Sequence, residues 1–517
     1  MINNCPFNIE PYAKSELIKK PNVFNLNYTN QDFWSMKTRL VEFTQQRFGT
    51  QFNDFVESSL AIMLIENWAF VADTLSFKMD QIANEIFIDT VTDIDNAFRL
   101  CKLVGYNPTP PVAAKSFWTA SLTNTITTDI NIVTPVRLTV NGGGQSVNIE
   151  LFAADSEGNP LFDDDIIIPA NSLVNASVIG LEGITRTEDI SSSGTRNQTL
   201  QTRFQKVILD SVRVEIDGVM WNKVDFFTES KPLKEYRLEY DSNYSAYIVF
   251  GNGVAGMIPA VGSVIRLTYR TGGGVVGNLV SNAVQQSLLI AVPGLGYQVP
   301  VFLNNYTKSQ YGYDGDTIED IRRKLPVYLR TQNRAVTGLD YKTLTDQFVS
   351  PYQGQIGKSV AVLRNHGCAA NIIDLYVLAR KNTDDLEVAS DQLKKELNDY
   401  LESVKMITDF VCIKDGVIVK VDVNISITTD KFYRKFEDEY RVKILNRINS
   451  FFSIYRWEYG QTLRDGDIIK ELSDIKEITK IDISFNTDLA MEASTIVTTK
   501  YYEIIRPDII DLGFVYE

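Results

Sequence analysis

Apolar positions recur at helical spacing through the first hundred residues. Phe33, Met36, Leu40 and Phe43 repeat at three- and four-residue steps. Leu60, Leu64, Trp68, Val71, Leu75, Met79, Ile82 and Ile86 then form one apolar stripe, which predicts a helix from about Asp54 to Ile88. At 1.5 Å rise per residue that rod is roughly 50 Å long, beyond the usual length of a globular helix. A third helix is expected behind Thr92 and Asp95, a variant of the capping box. Ala97, Leu100, Cys101 and Val104 form its apolar face, and Gly105 stops it before Pro108. One long rod and one short helix cover little of the stripe themselves, so the pattern leaves two readings open: a self-contained helical core, or a rod that packs on helices of other chains.

The periodicity then changes. Residues 107–116, with three prolines, read as a linker. From Phe117 to about Tyr306 the helical period disappears and Val, Ile, Thr, Gly and Asn dominate. Val212, Val214 and Ile216 alternate up to Asp217-Gly218, with Val219 and Trp221 beyond, which predicts a tight β-hairpin. The stretch 117–205 reads as a β-rich inserted subdomain, and 206–310 as a second β domain. Thr317 with Asp320 and Thr337 with Asp340 open two short helices in a connector, 311–350. Residues 351–517 read as α+β. Leu386, Leu393, Leu397 and Leu401 are expected on one helical face. Val417 to Ile427 alternates over six positions as a strand, a long helix follows from Phe432 to about Phe452, then a short helix at Asp465–Leu472 and a strand near Ile481. The fold class is therefore multidomain α+β: an N-terminal long-helix region (1–106), a β-rich middle, and a C-terminal α+β domain with small mixed sheets covered by helices.

Composition narrows the chemistry. Of 517 residues, 51 are basic and 65 acidic, a net charge of −14 that disfavours binding to nucleic-acid phosphates or anionic lipid. The four cysteines, Cys5, Cys101, Cys368 and Cys412, show no CxxC spacing, which argues against a disulfide framework or thiolate zinc site. The single histidine, His366, sits in a turn-like RNHGCAA tract, so a serine–histidine triad or a multi-histidine metal centre has little to build on. No uninterrupted apolar run of about 18 residues is present, and no membrane insertion or secretory signal is expected.

Several motifs resemble chemical sites without their full pattern. Gly251, Gly253 and Gly256 form a literal G-x-G-x-x-G, but Pro259 and Gly262 follow where a dinucleotide fold needs a helix. Gly272 and Gly277, in a tract that also holds Gly273 and Gly274, have P-loop glycine spacing, but Asn278 and Leu279 stand where Lys and Ser or Thr are required. Turns between strands explain both sets. The acidic cluster Asp314, Asp316, Glu319 and Asp320 fits a helix start better than a calcium loop. Asp163, Asp164 and Asp165 read as a solvated turn. No cofactor, metal or catalytic set emerges.

Four tracts together resemble a known family: VRVEIDGVMWNKV (212–224), YIVFGNGVAGMIPAVGSVIRLTYRTGGGVVGNL (247–279), YGYDGDTIEDIRRKLPVYLRTQNRAVTGLDYKTL (311–344) and YGQTLRDGDIIKEL (459–472). In this order they resemble the baseplate J-like proteins, wedge components of contractile phage tails and related injection systems. The resemblance implies a non-enzymatic structural protein of the virion tail baseplate, assembled in the bacterial cytoplasm. It implies that N-terminal helices join a second copy and a different wedge subunit, with Leu60, Leu64, Trp68, Val71, Leu75 and Ile82 as the interface. It also implies that the C-terminal domains meet neighbouring wedges in a ring near the hub and sheath-initiating proteins, whose change triggers contraction. The glycine tracts are then family turns. The alternative is a tail-associated carbohydrate-binding or carbohydrate-cleaving protein that uses the β-rich middle.

Overall fold

A computed structural model describes residues 32–48, 56, 59–142, 145–227, 231–292, 297–365, 371–382, 385–475, 478–487 and 490–516. The expected start of the rod at Asp54, and Cys5, His366 and Cys368, lie outside them. The chain divides into two compact units: Lys19–Pro108 with Asp316–Leu325, and the remainder.

The first unit is helical. It contains α1 (Phe33–Phe48), α2 (Leu60–Asn84), α3 (Ile94–Leu103) and the first part of α4 (Ile318–Thr331). At 25 residues α2 is about 37 Å long and ends at Asn84, before the expected Ile88. The reason is local. Glu85 turns its carboxylate onto Thr92 and Asp93, and the hydroxyl of Thr90 donates to the Asn84 carbonyl, so residues 85–90 fold into turns. The expected cap at Thr92 moves one residue: Asp93 caps α3 by accepting from the Asp95 N–H. Ala97, Phe98 and Cys101 of α3 are buried with Val91, Ile321 and Leu325. Arg322 donates to the Val91 carbonyl, and Asp316 pairs with Lys324 at 2.6 Å.

The second unit begins with strands β1 (Lys115–Leu122), β2 (Val136–Gly142), β3 (Gln145–Ala154), β4 (Val174–Glu182), β5 (Ile184–Ser191), β6 (Thr199–Gln201), β7 (Arg213–Ile216), β8 (Val219–Met220), β9 (Glu235–Tyr240), β10 (Ala246–Phe250), β11 (Val264–Thr271), β12 (Gln285–Ala291) and β13 (Gln298–Asn305). A seven-stranded sheet runs β12-β13-β1-β4-β3-β2, with a short strand at Pro160–Leu161 on β3. Its core joins Trp118, Leu151, Val178, Val301 and Leu303 to Ile130, Ile132, Ile166 and Ile168. Two four-stranded sheets, β8-β7-β11-β5 and one holding β9, β10 and β6, enclose Val214, Leu267, Trp221 and Phe250. The expected hairpin is present, with Ile216 opposite Val219 across Asp217-Gly218. Strand pairing cuts across the expected boundary at residue 205, because β12 and β13 complete the sheet of β1 while β5 and β6 pair with later strands. The tract 107–116 contains the division between the units at Pro108, yet residues 110–116 are buried and Val112 bridges Tyr313. Trp118 and Trp221 are buried core residues, so neither offers a ring for sugar stacking.

The remainder holds two helix-covered sheets. In the first, β14 (Gly354–Asn365) and β15 (Asn371–Asn382) lie under α5 (Gly338–Asp346) and α6 (Asp391–Val404), with β16 (Asp409–Asp415) parallel to β15. Leu393, Leu397 and Leu401 line α6 as expected. Leu386 lies instead in a short strand, because Ser390 caps the helix only there. The expected capping box at Thr337 and Asp340 is formed. In the second sheet, β17 (Val417–Thr429) pairs with β18 (Ile478–Thr487) and β20 (Glu503–Tyr516), and β19 (Ala490–Ser494) pairs with β18. Helices α7 (Glu437–Phe451) and α8 (Asp465–Leu472) cover it. The predicted helix from Phe432 opens instead as a 3-10 turn, Lys431–Phe436, capped by Asp430.

Gly180 on β4 sits against the ring of the fully buried Trp118, whose Nε1–H donates to Ser116 Oγ at 2.8 Å. A Cβ at Gly180 would lie 2.1 Å from Nε1. Gly180→Ala is therefore expected to destabilise this sheet by about 1–3 kcal/mol, read as a lower midpoint in chemical denaturation followed by tryptophan fluorescence. An unchanged midpoint would show that the ring has room to move.

Candidate partner-binding helix and glycine turns

Helix α1 packs along α2, with Met36 buried and Lys37 paired to Glu66 at 2.6 Å. The side chains α2 buries are Ile62, Ala69 and Ser76. They are seven residues apart, the spacing of a coiled-coil seam. Of the predicted interface residues, Leu60, Leu64 and Val71 lie opposite that seam, and Trp68, Leu75 and Ile82 lie on one flank of it. They are 47–69% exposed. A second row, Met63, Phe70 and Phe77, is also exposed and repeats every seven residues. Each member follows a seam residue, so the row lies about 100° around the helix from it. Sequence reasoning passed over this row, although its seven-residue repeat was visible beside the stripe. On α1, Trp34 and Phe43 are exposed too, so Phe43 does not join Met36 in a core.

A helix that is apolar on two exposed sides has only one side covered by α1. By length and composition α2 also meets the requirement for crossing a membrane. Glu66 and Asp73 interrupt the apolar run, as the sequence reading has it, but leave the stretch apolar on average.

The glycine turns have a packing explanation. A Cβ at Gly251 would lie 2.3 Å from the backbone of Gly256, and one at Gly256 would meet the Phe227 ring at 2.9 Å. Gly253 and Gly256 have positive φ, and no helix follows them. Gly272, Gly273 and Gly274 all take φ values between 82° and 135°. Here the ends of β11 and β4 meet the tracts 111–115 and 310–315. Gly274 N–H donates to the Val112 carbonyl, Val275 N–H donates to Asp314, and Gly312 N–H donates to Asn278. A Cβ at Gly277 would lie 2.2 Å from Glu182 Oε2. Burial raises the Glu182 carboxyl to about 7, against the Ala114 N–H and the Arg270 charge, which lower it. Neither tract cradles an open space for a phosphate.

The acidic clusters are also accounted for. Asp320 accepts from Thr317 as a helix cap, and Asp163 and Asp164 are exposed in a solvated turn ahead of the strand at Ile166–Ile168, as expected, while Asp165 accepts from Asn131 and the Thr134 N–H. Among the described residues no group of three His, Cys, Asp or Glu side chains is placed to hold a metal. Burial and the nearby Asp316 charge push the Cys101 thiol up to about 12, which keeps it protonated.

Residues 32–103, which contain α1, α2 and α3, match the family model described as bacteriophage baseplate protein, N-terminal domain. No curated protein matches the chain. Among solved structures, a chain in the cryo-EM structure of the anti-feeding prophage baseplate, 6-fold symmetrised, aligns over 95% of this chain and 96% of its own. Identity there is 11% and the TM-score 0.36.

The raised Glu182 value sets a pH dependence. The folded chain holds this proton between about 4.5 and 7, where the unfolded chain has released it, so stability rises as pH falls through that window. The slope from one such group reaches about 1.4 kcal/mol per pH unit at most. Glu182→Gln is expected to flatten thermal-melt midpoints measured from pH 8 to pH 5. A wild-type slope retained in that variant would place the proton elsewhere.

Proposed function

We propose that this chain is a structural wedge component of a contractile-tail baseplate, working through protein–protein contacts and without catalysis. The carrying observation is a coincidence: the residues that match the baseplate N-terminal domain are those whose helix leaves its apolar stripe uncovered. In this reading the stripe Leu60, Leu64, Trp68, Val71, Leu75 and Ile82 packs on helices of a second copy and of a different wedge subunit. The ion pair between Glu66 and Lys37 supports a helical neighbourhood for α2 over a lipid one, since a charge at bilayer depth is costly. The C-terminal α+β sheets meet neighbouring wedges and close a ring around the hub beneath the sheath-initiating proteins. A change in that ring passes to the sheath. The site of action is the virion tail baseplate, assembled in the host cytoplasm. The family resemblance supports the J-like assignment through the four tracts quoted above.

Two charges on the stripe test this. Leu64→Asp with Val71→Asp is expected to abolish co-purification with the other baseplate proteins of the same particle, while circular dichroism of the isolated chain stays unchanged because both side chains face solvent there. Normal co-purification of the double variant would refute the role of the stripe.

A further inference from the structure

Helix α4 carries a proline where helices ordinarily exclude one. Pro326 is the ninth of its fourteen residues, well past the first turn, where a missing N–H would be harmless. The Arg322 carbonyl, four residues back, loses the N–H it would otherwise accept from, and the proline ring crowds it. Packing does not explain the residue. Pro326 is exposed, while Ile321 and Leu325 before it and Thr331 after it are buried. An alanine there would keep every buried contact and be a far better helix former.

The proline coincides with the division of the chain. Residues Asp316–Leu325 belong to the helical unit, and those from Pro326 onward to the other. Each half of α4 is anchored within its own unit. In the first half Arg322 donates to the Val91 carbonyl, and Lys324 pairs at 2.6 Å with Asp316, which also accepts from the Tyr106 hydroxyl at 3.3 Å. In the second half Arg330 donates to Thr343 Oγ1 on α5 at 3.3 Å. The other crossings among the described residues fall at Pro108 and at Gly315, whose φ is 96°. An unbroken helix anchored at both ends would fix the two units to each other whatever those crossings did. The stiffness of α4 therefore decides whether they move, and its weak point lies at the border.

We propose that α4 is a hinge that bends at Pro326, about which the helical unit turns as a body. Sharp bends in helices gather at proline, and hinges concentrate a large change in a few backbone positions. This bend breaks no contact within either unit, because the hydrogen bond that would resist it is already missing. The hinge rests on the chain alone. Only its use, to let the unit that carries the α2 stripe follow its partners, rests on the wedge reading.

The test uses the full chain with Cys5, Cys368 and Cys412 replaced by serine, while the buried Cys101 stays. Spin labels are attached through Leu103→Cys in the helical unit and Val261→Cys in the other, positions 82% and 80% exposed. Pulsed electron paramagnetic resonance is expected to give a broad distance distribution. Pro326→Ala restores the missing N–H and narrows that distribution to about half its width. The same width in both chains, narrow or broad, overturns the proposal. Hydrogen exchange of the unaltered chain gives a second reading. Residues 319–325 and 327–331 are expected to exchange at different rates, each in step with its own unit, and one rate along the whole helix overturns the hinge as well. Neither measurement involves a partner, so a failed hinge leaves the wedge reading standing, and a failed stripe leaves the hinge.

Discussion

Apolar surface on α2 that the described residues leave in water is the constraint from which the account follows. A fully buried Leu, Ile or Val side chain gains about 1.5–3 kcal/mol over an exposed one. Six large apolar positions stand open on the stripe, five of them Leu, Ile or Val, and three more on the Met63 row. Helix α1 cannot answer this. Its seam uses Ile62, Ala69 and Ser76, residues of modest size, so the largest side chains of α2 face outward. Association of separate chains costs about 4–15 kcal/mol in lost freedom, so a single exposed leucine would achieve nothing. A contiguous stripe along a preformed helix has the scale to outweigh it.

The rest of the molecule is built the other way. Its sheets bury their apolar faces internally, and their junctions use charge and close backbone contact. Glu150 accepts from Thr185 and pairs with the buried Arg270, which also donates to the Leu181 and Glu182 carbonyls. Glu458 pairs with Lys342 at 2.7 Å and Lys358 at 2.6 Å, joining α5 and β14 to the segment after α7. The glycine turns belong to the same class. Gly273 and Gly274 admit the tract 111–112 and the Asp314 carboxylate at distances no side chain would permit.

Local signals were legible in the sequence, and long-range pairing was not. The stripe on α2, the Asp217-Gly218 hairpin, the Thr337 capping box and the helix at Asp465 depend on residues within a few positions of each other. The sheet that unites Trp118 with Asn305 depends on pairing across nearly two hundred positions, for which a single sequence carries no mark. The end of α2 was misplaced because Ile86 continues the apolar period, while Glu85 is drawn away to Thr92 by a hydrogen bond invisible to periodicity. Leu386 was misassigned for a similar reason: it extends the leucine spacing of α6 beyond the cap at Ser390. The Met63, Phe70 and Phe77 row was available to a heptad count but hidden by the stronger stripe.

The central claim is that α2 is covered only in company. Hydrogen exchange of residues 60–84 in the isolated chain and in the assembled tail measures this directly. The account predicts weak protection of α2 in the free chain and strong protection after assembly, with the strands around Trp118 equally protected in both. Equal protection of α2 in the two states would contradict it.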